Sequence, residues 1–103
     1  MSLNKQKNDD EIFHESIQFH QSGNLNDAQK GFDYLISKYP NSSDLLNSLG
    51  TLYLQLGEDN KGCALLEKSL QINPNQPMIS FNLGNSYANQ KKFSKALKFL
   101  KIT

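Results

Sequence analysis

His14-Glu15 and a lone thiol at Cys63 are the side chains of this chain best suited to acid–base, metal or nucleophilic chemistry, and neither sits in a pattern that completes a site. A zinc-protease helix of the form H-E-x-x-H needs a second histidine at residue 18, where the chain has Gln18. His20 is six residues from His14, about 120° round a helix axis, so the two cannot hold one metal from one face. Cys63 has no histidine placed beside it in the sequence, and thiols in helix-packing positions are inert. The six glycines are scattered and form no phosphate-binding loop. The expectation is a non-enzymatic protein with no catalytic residue, no cofactor and no metal site.

Amides are a different kind of candidate. Asn82 and Asn85 each offer one acceptor and two donors, enough to pair with a peptide backbone in both senses. Lys91, Lys95, Lys98 and Lys101, at four- and three-residue steps, make a basic stripe on one helix face. The chain contains no Arg for bidentate phosphate or guanine contacts. A solvated face, with no nucleic-acid partner, is the expectation there.

These residues sit in a chain of 103, one small domain in size, with 37% apolar residues and a mean hydropathy of −0.61, as suits helices that each bury a single stripe. Val is absent, as is Trp, which removes much of the strand vocabulary. The net charge of +1 conceals an asymmetry: up to Glu67 there are five Lys against ten acids, and beyond it six Lys and no acid. One cysteine excludes an internal disulfide and suits a reducing compartment. Residues 1–8 lack the apolar core of a signal peptide and read as a lead-in that is disordered or in part an expression tag, and no run approaches the roughly 18 apolar residues of a membrane span. A cytoplasmic protein with no membrane partner is expected.

Helix signals recur along the chain. Asp9-Asp10-Glu11 favours a helix start, Ile12, Phe13, Ile17 and Phe19 give its stripe, and Gly23-Asn24 ends it. A second helix from Leu25, with Asn24 or Asn26 as cap, stops near Tyr39-Pro40, because a residue before proline is pushed from the helical region. Leu45–Leu56, Asp59–Ile72 ended at Asn73-Pro74, Pro77–Gln90, and a last helix from Phe93 complete the series.

The series has a period of 34. Phe19, Tyr53 and Tyr87 share a slot, as do Ala28, Gly62 and Ala96, and as do Phe32, Leu66 and Leu100. The small slot lets the two helices of a hairpin approach closely. Three helix–turn–helix units of fixed length predict an all-α fold, an α-solenoid in which stacked repeats bury what no single repeat can. The units are residues 9–42 (degenerate), 43–76 and 77–103 (incomplete).

Leu49-Gly50-Tyr53-Pro74 and Leu83-Gly84-Tyr87-Ala96 give the chain its resemblance to the tetratricopeptide-repeat family, over about residues 9–103. Leu46 and Ser80 stand where the family often has Trp, Glu15-Ser16 replace Leu-Gly in the first repeat, and Asp59 replaces an apolar residue, so a looser inner turn is expected in the second. The resemblance implies antiparallel helix pairs in a right-handed superhelix, whose first helices line a concave groove that binds partner peptides. Carried onto this chain, the groove would comprise Phe13, Ile17, His20 and Gln21; then Asn47, Thr51 and Gln55; then Phe81, Asn82, Asn85 and Asn89, with Phe13 and Phe81 as its exposed apolar residues. It holds no Lys or Arg, which excludes the carboxylate-clamp mode of some members.

The function so implied is a protein-interaction scaffold with a protein or peptide ligand. Asn82-Leu83-Gly84-Asn85 is also similar to the Asn-Leu-Gly repeats of O-linked sugar transferases, which implies, as an alternative, an N-terminal substrate-docking module of a larger enzyme. A second alternative is a homo-oligomer assembled through an open C-terminal end that exposes Leu97 and Leu100, the acidic leading half pairing with the basic trailing half or two open ends meeting across a two-fold axis.

Overall fold

In the computed structural model, which describes residues 7–100, six helices follow one another: α1 (Asp9–Gln21), α2 (Leu25–Lys38), α3 (Ser43–Gln55), α4 (Asp59–Ile72), α5 (Pro77–Asn89) and α6 (Phe93–Leu100). No strand occurs among the described residues. Lys101 of the basic stripe and residues 1–6 of the expected lead-in lie outside them. Each helix packs on the next in chain order, α1 on α2 through α5 on α6, in an elongated body of 59 × 24 × 18 Å. The fold is an α-solenoid of three helical hairpins.

Local chemistry sets the ends. Asn8 caps α1: its side chain accepts from the Glu11 N–H at 2.8 Å, and its own N–H donates to Glu11 Oε1 at 3.0 Å, a reciprocal capping box. Asp9 does more than favour the helix dipole. Its carboxylate accepts from the Tyr39 hydroxyl at 2.5 Å and from Lys38 Nζ at 2.9 Å, tying the start of α1 to the end of α2. The Tyr39 hydroxyl first, and Lys38 second, hold that carboxyl below its ordinary range. Asn24 stands at the head of α2, but its amide donates to Ser22 Oγ and does not cap.

The three hairpin turns are alike. Each uses the same pair of backbone bonds: Gly23 N–H to His20 O and Asn24 N–H to Phe19 O, Gly57 N–H to Leu54 O and Glu58 N–H to Tyr53 O, Lys91 N–H to Ala88 O and Lys92 N–H to Tyr87 O. The looser turn expected from Asp59 is therefore absent, because backbone bonding closes the turn one residue before that side chain starts α4. What differs is the left-handed residue: Gly23 has φ 86° and Gly57 φ 81°, while the third turn places Lys91 at φ 63°. A residue with a Cβ is strained there by about 1 kcal/mol. Lys91→Gly is expected to stabilise the protein by about 0.5–1 kcal/mol, read as a higher urea midpoint at unchanged m.

Close crossing of the hairpin helices is achieved differently in each repeat. In the second, Gly50 meets Gly62: a Cβ built on Gly62 would lie 2.8 Å from the Gly50 carbonyl oxygen and 2.7 Å from Leu54 Cδ2. In the third, Gly84 faces Ala96 and Leu100. In the first, Ser16 takes the Gly slot, buried to 2% exposure with its hydroxyl bonded to Ile12 O at 2.7 Å, and the room is provided by Gly31, whose Cβ would collide with Ser16 Oγ. The sequence marks the Ser16 departure; the glycine that compensates it lies on the other helix.

Apolar side chains divide into two clusters. Phe32, Leu35, Leu49 and Leu52 centre one between α2 and α3, and Leu66, Leu83, Tyr87 and Ala96 centre the other across α4, α5 and α6. At each junction between repeats a tyrosine of the incoming helix donates to an acid of the preceding one, Tyr53 to Asp33 at 3.4 Å and Tyr87 to Glu67. Both pairs keep the period, since 33 and 67, like 53 and 87, are 34 apart.

Candidate functional site

The first helices of the three hairpins, α1, α3 and α5, are laid side by side because the second helices hold them from behind. Thr51 and Gln55 on α3 face Asn82, Asn85 and Asn89 on α5 across an open pocket of about 380 Å³, completed by Leu54, Asp59 and Ser86. Spacing explains the convergence. Thr51 and Gln55 are one turn apart, as are Asn85 and Asn89, so each pair projects from one helix face. Asp59 is the one charged side chain of this lining, which contains no lysine. The surface is a set of amides and hydroxyls with a single negative charge.

The remaining residues expected in the groove divide by what lies next to them. His20 on α1 hydrogen-bonds through Nε2 to Gln55 Oε1 and rests its ring edge-on against Phe32, with centroids 6.5 Å apart, so it bridges α1 to the pocket. Gln21, the last residue of α1, is exposed. Phe13 and Ile17 are half-buried and pack on the first core cluster, Phe13 edge-on to Phe32 at 6.3 Å. Phe13 is thus not the exposed apolar residue expected, because α2 and the head of α3 cover it; it shares a hollow with Leu35, Ser42 and Leu45.

Asn47 donates from Nδ2 to Gln76 Oε1 at 2.7 Å, while its Oδ1 is buried without a partner among the described residues. Gln76 in turn donates to Ser69 Oγ, Ser69 O and Asn73 O, which makes Asn47 part of the joint between α3, the end of α4 and the head of α5. Phe81 is 59% exposed but lies in a separate hollow at the far end of the solenoid, with Pro77, Met78 and Phe99. Phe13, Asn47 and Phe81 occupy one slot of the period, and that slot faces the next repeat.

Sequence reasoning missed Gln76, Leu54 and Ser86. Gln76 had a weak signal as the residue before Pro77 at the head of a helix. Cys63 is 2% exposed, with its Sγ 3.4 Å from Ser86 Oγ, a packing thiol at the α4–α5 junction. Among the described residues no group of three or more His, Cys, Asp or Glu side chains is placed to hold a metal, and no helix is long and apolar enough to cross a membrane.

With this geometry in place, comparison with known proteins is decisive for the family. Profiles of the tetratricopeptide repeat match residues 16–42, 43–76 and 65–98. The chain belongs to the tetratricopeptide-repeat family. The third match starts inside α4, as a 34-residue period permits, since it can be cut at any phase. The repeats superpose on solved structures of low identity: MamA (TM-score 0.85, 19% identical, 90% of this chain and 54% of that one) and PcrH in complex with the chaperone-binding region of PopD (TM-score 0.83, 18% identical, 95% and 75%). The type III secretion translocator chaperone SycD of Yersinia enterocolitica is similar to the same degree (TM-score 0.83, 17% identical, 96% and 75%).

Among curated proteins, aspartyl/asparaginyl beta-hydroxylase of Homo sapiens is 28% identical over 82 residues, and the CTR9 homolog of Arabidopsis thaliana 29% over 62. These matches cover 80% and 60% of this chain, which spans a tenth or less of those proteins.

Proposed function

We propose that this tetratricopeptide-repeat protein is an interaction module that holds an extended segment of a partner polypeptide across α3 and α5. The observation that carries the reading is the pocket between Thr51, Gln55, Asn82, Asn85 and Asn89, whose amides match the alternating donors and acceptors of a peptide backbone. With Asp59 as its charge and no lysine in its lining, the pocket suits a neutral or basic segment and not a terminal carboxylate. The shared fold of PcrH, solved with a bound region of PopD, supports the reading.

The test is a peptide library displayed on phage and selected on the protein, followed by affinity measurement of the selected peptides. Asn82→Ala/Asn85→Ala is expected to weaken them by about 10- to 30-fold, two hydrogen-bonding side chains at about 1 kcal/mol each, while leaving the melting temperature in place. Unchanged affinity in the folded double variant would remove the pocket from the site.

A second reading, a substrate-docking module within a larger enzyme, is supported by the resemblance to part of a hydroxylase; no sugar transferase stands among the relatives named above. It expects a reading frame running several hundred residues past Thr103 whose product modifies folded protein substrates. Asn82→Ala/Asn85→Ala would then raise KM for those substrates and leave short peptides unaffected. A stop codon at that point ends this reading.

A further inference from the structure

Behind the first helices, α4 and the head of α6 bound a second groove, of about 520 Å³, with Tyr87 at its floor. Its α4 wall runs from Asn60 to Gln71 along one helix face, a length of about 16 Å. Three lysines line it. Lys92 and Lys95 set their Nζ atoms 5.9 and 5.2 Å from the centroid of the Tyr87 ring, and Lys68 joins them from α4. The one acid of the lining, Glu67, is already engaged as acceptor of the Tyr87 hydroxyl. Among the described residues none of the three lysines forms an ion pair.

One period earlier the same positions are balanced. There Lys30 and Lys61 stand with Asp33 and Glu58, and Lys61 pairs with Glu58 at 3.3 Å. Lys92 in place of Glu58 and Lys68 in place of Tyr34, offset in part by Ala64 in place of Lys30, leave the later groove with three lysines against one acid. The earlier face also shows that this side of the solenoid is not where repeats stack: a third repeat follows it, yet Lys30, Tyr34, Glu58 and Lys61 are all exposed.

Like charges round one groove repel, and an anion set among them relieves the repulsion. Tyr87 is 4% exposed, so the lining offers no aromatic face on which a base could stack, while Asn60 and Gln71 at the two ends of the α4 wall offer amides to a peptide backbone. We propose that the groove between α4 and α6 seats a short acidic segment of a partner protein, extended along α4 with its carboxylates on Lys68, Lys92 and Lys95. A wall of this length spans about five extended residues.

The groove lies on the other side of the hairpins from the pocket between α3 and α5, and the test keeps the two apart. The probe is a peptide of about five glutamates carrying a neutral dye, and its twin has glutamines instead. By fluorescence anisotropy at physiological ionic strength the acidic peptide is expected to bind at least about tenfold tighter than its twin, with the gap shrinking as salt is raised. Lys68→Gln and Lys95→Gln each weaken it by about threefold and together by about tenfold. Lys98→Gln removes the same charge from α6 outside this lining and binds the peptide as the parent does, as does Asn82→Ala/Asn85→Ala.

Equal affinity for the two peptides, or none for either, overturns the proposal. So does a loss with Lys98→Gln as large as with Lys95→Gln, which would reduce the effect to net charge. A single-stranded RNA bound more tightly than the peptide and released by Lys68→Gln/Lys95→Gln would make nucleic acid the ligand, and a dimer in sedimentation that the same double variant dissolves would place the acidic half of a second copy in the groove; either result overturns it too.

Discussion

Gly62→Ala is expected to lower the melting temperature by about 5–10 °C, although alanine is the residue at the same slot of the other two repeats and favours helix by about 1 kcal/mol. The sign follows from which atoms the new methyl meets. Leu54 Cδ2, 2.7 Å from the built Cβ, is the end of a side chain and moves, but the Gly50 carbonyl oxygen at 2.8 Å is backbone and moves only if α3 and α4 separate. Separating them loosens Leu49, Leu52 and Leu66, all buried. Overpacking of this kind costs about 1–3 kcal/mol, and a clash with backbone lies in the upper half of that range, so after the propensity gain of about 1 kcal/mol a net loss of about 1–2 remains.

Ala28→Gly and Ala96→Gly are expected to destabilise as well, since there the methyl is buried and glycine weakens the helix by about 1 kcal/mol. Destabilisation in both directions at one slot would show that each hairpin crosses at its own distance. A Gly62→Ala variant as stable as the parent would show that α3 and α4 shift apart freely.

That slot also shows what the sequence carries. The 34-residue period places the small residues, the Leu-Gly-Tyr copies and the helix ends, because these depend on contacts within a hairpin or on the backbone: Gly23 and Gly57 supply left-handed turn residues, Pro40 and Pro74 follow the ends of α2 and α4, and Leu49, Gly50, Leu83, Gly84 and Tyr87 are buried. Burial between repeats is another matter. Phe13, Asn47 and Phe81 hold one slot yet differ in fate, since the head of α3 covers Phe13, Gln76 bonds Asn47, and no described residue of a following repeat lies over Phe81.

The candidate pocket divides the same way. Thr51, Gln55, Asn82, Asn85 and Asn89 converge because they share the inner face of α3 and α5. That His20 is fastened to Gln55 depends on how far α1 is rotated against α3, a quantity that no residue pattern states.

Tyr87→Phe is expected to cost about 2 kcal/mol at pH 7 and progressively less above pH 10. At neutral pH the Tyr87 hydroxyl donates to the Glu67 carboxylate from a buried ring, and a hydrogen bond to a charged acceptor contributes about 1.5–3 kcal/mol. Burial first, and the bond to the Glu67 carboxylate second, push the Tyr87 hydroxyl well above the ordinary value of 10.

Because the folded value is raised, the stability the neutral hydroxyl contributes is complete below the unfolded value and is lost as pH rises from there toward the folded one. Above pH 10 the unfolded chain sheds this proton while the folded chain keeps it, so the parent loses up to about 1.4 kcal/mol per pH unit relative to the phenylalanine variant. Tyr53, also raised by burial and by Asp33, titrates alike in both proteins and cancels from the difference. Urea unfolding between pH 7 and 11.5 reads the gap directly: convergence of the two curves above pH 10 is the expected result. A gap constant across that range would mean that the ring alone, and not its hydroxyl on Glu67, joins the third repeat to the second.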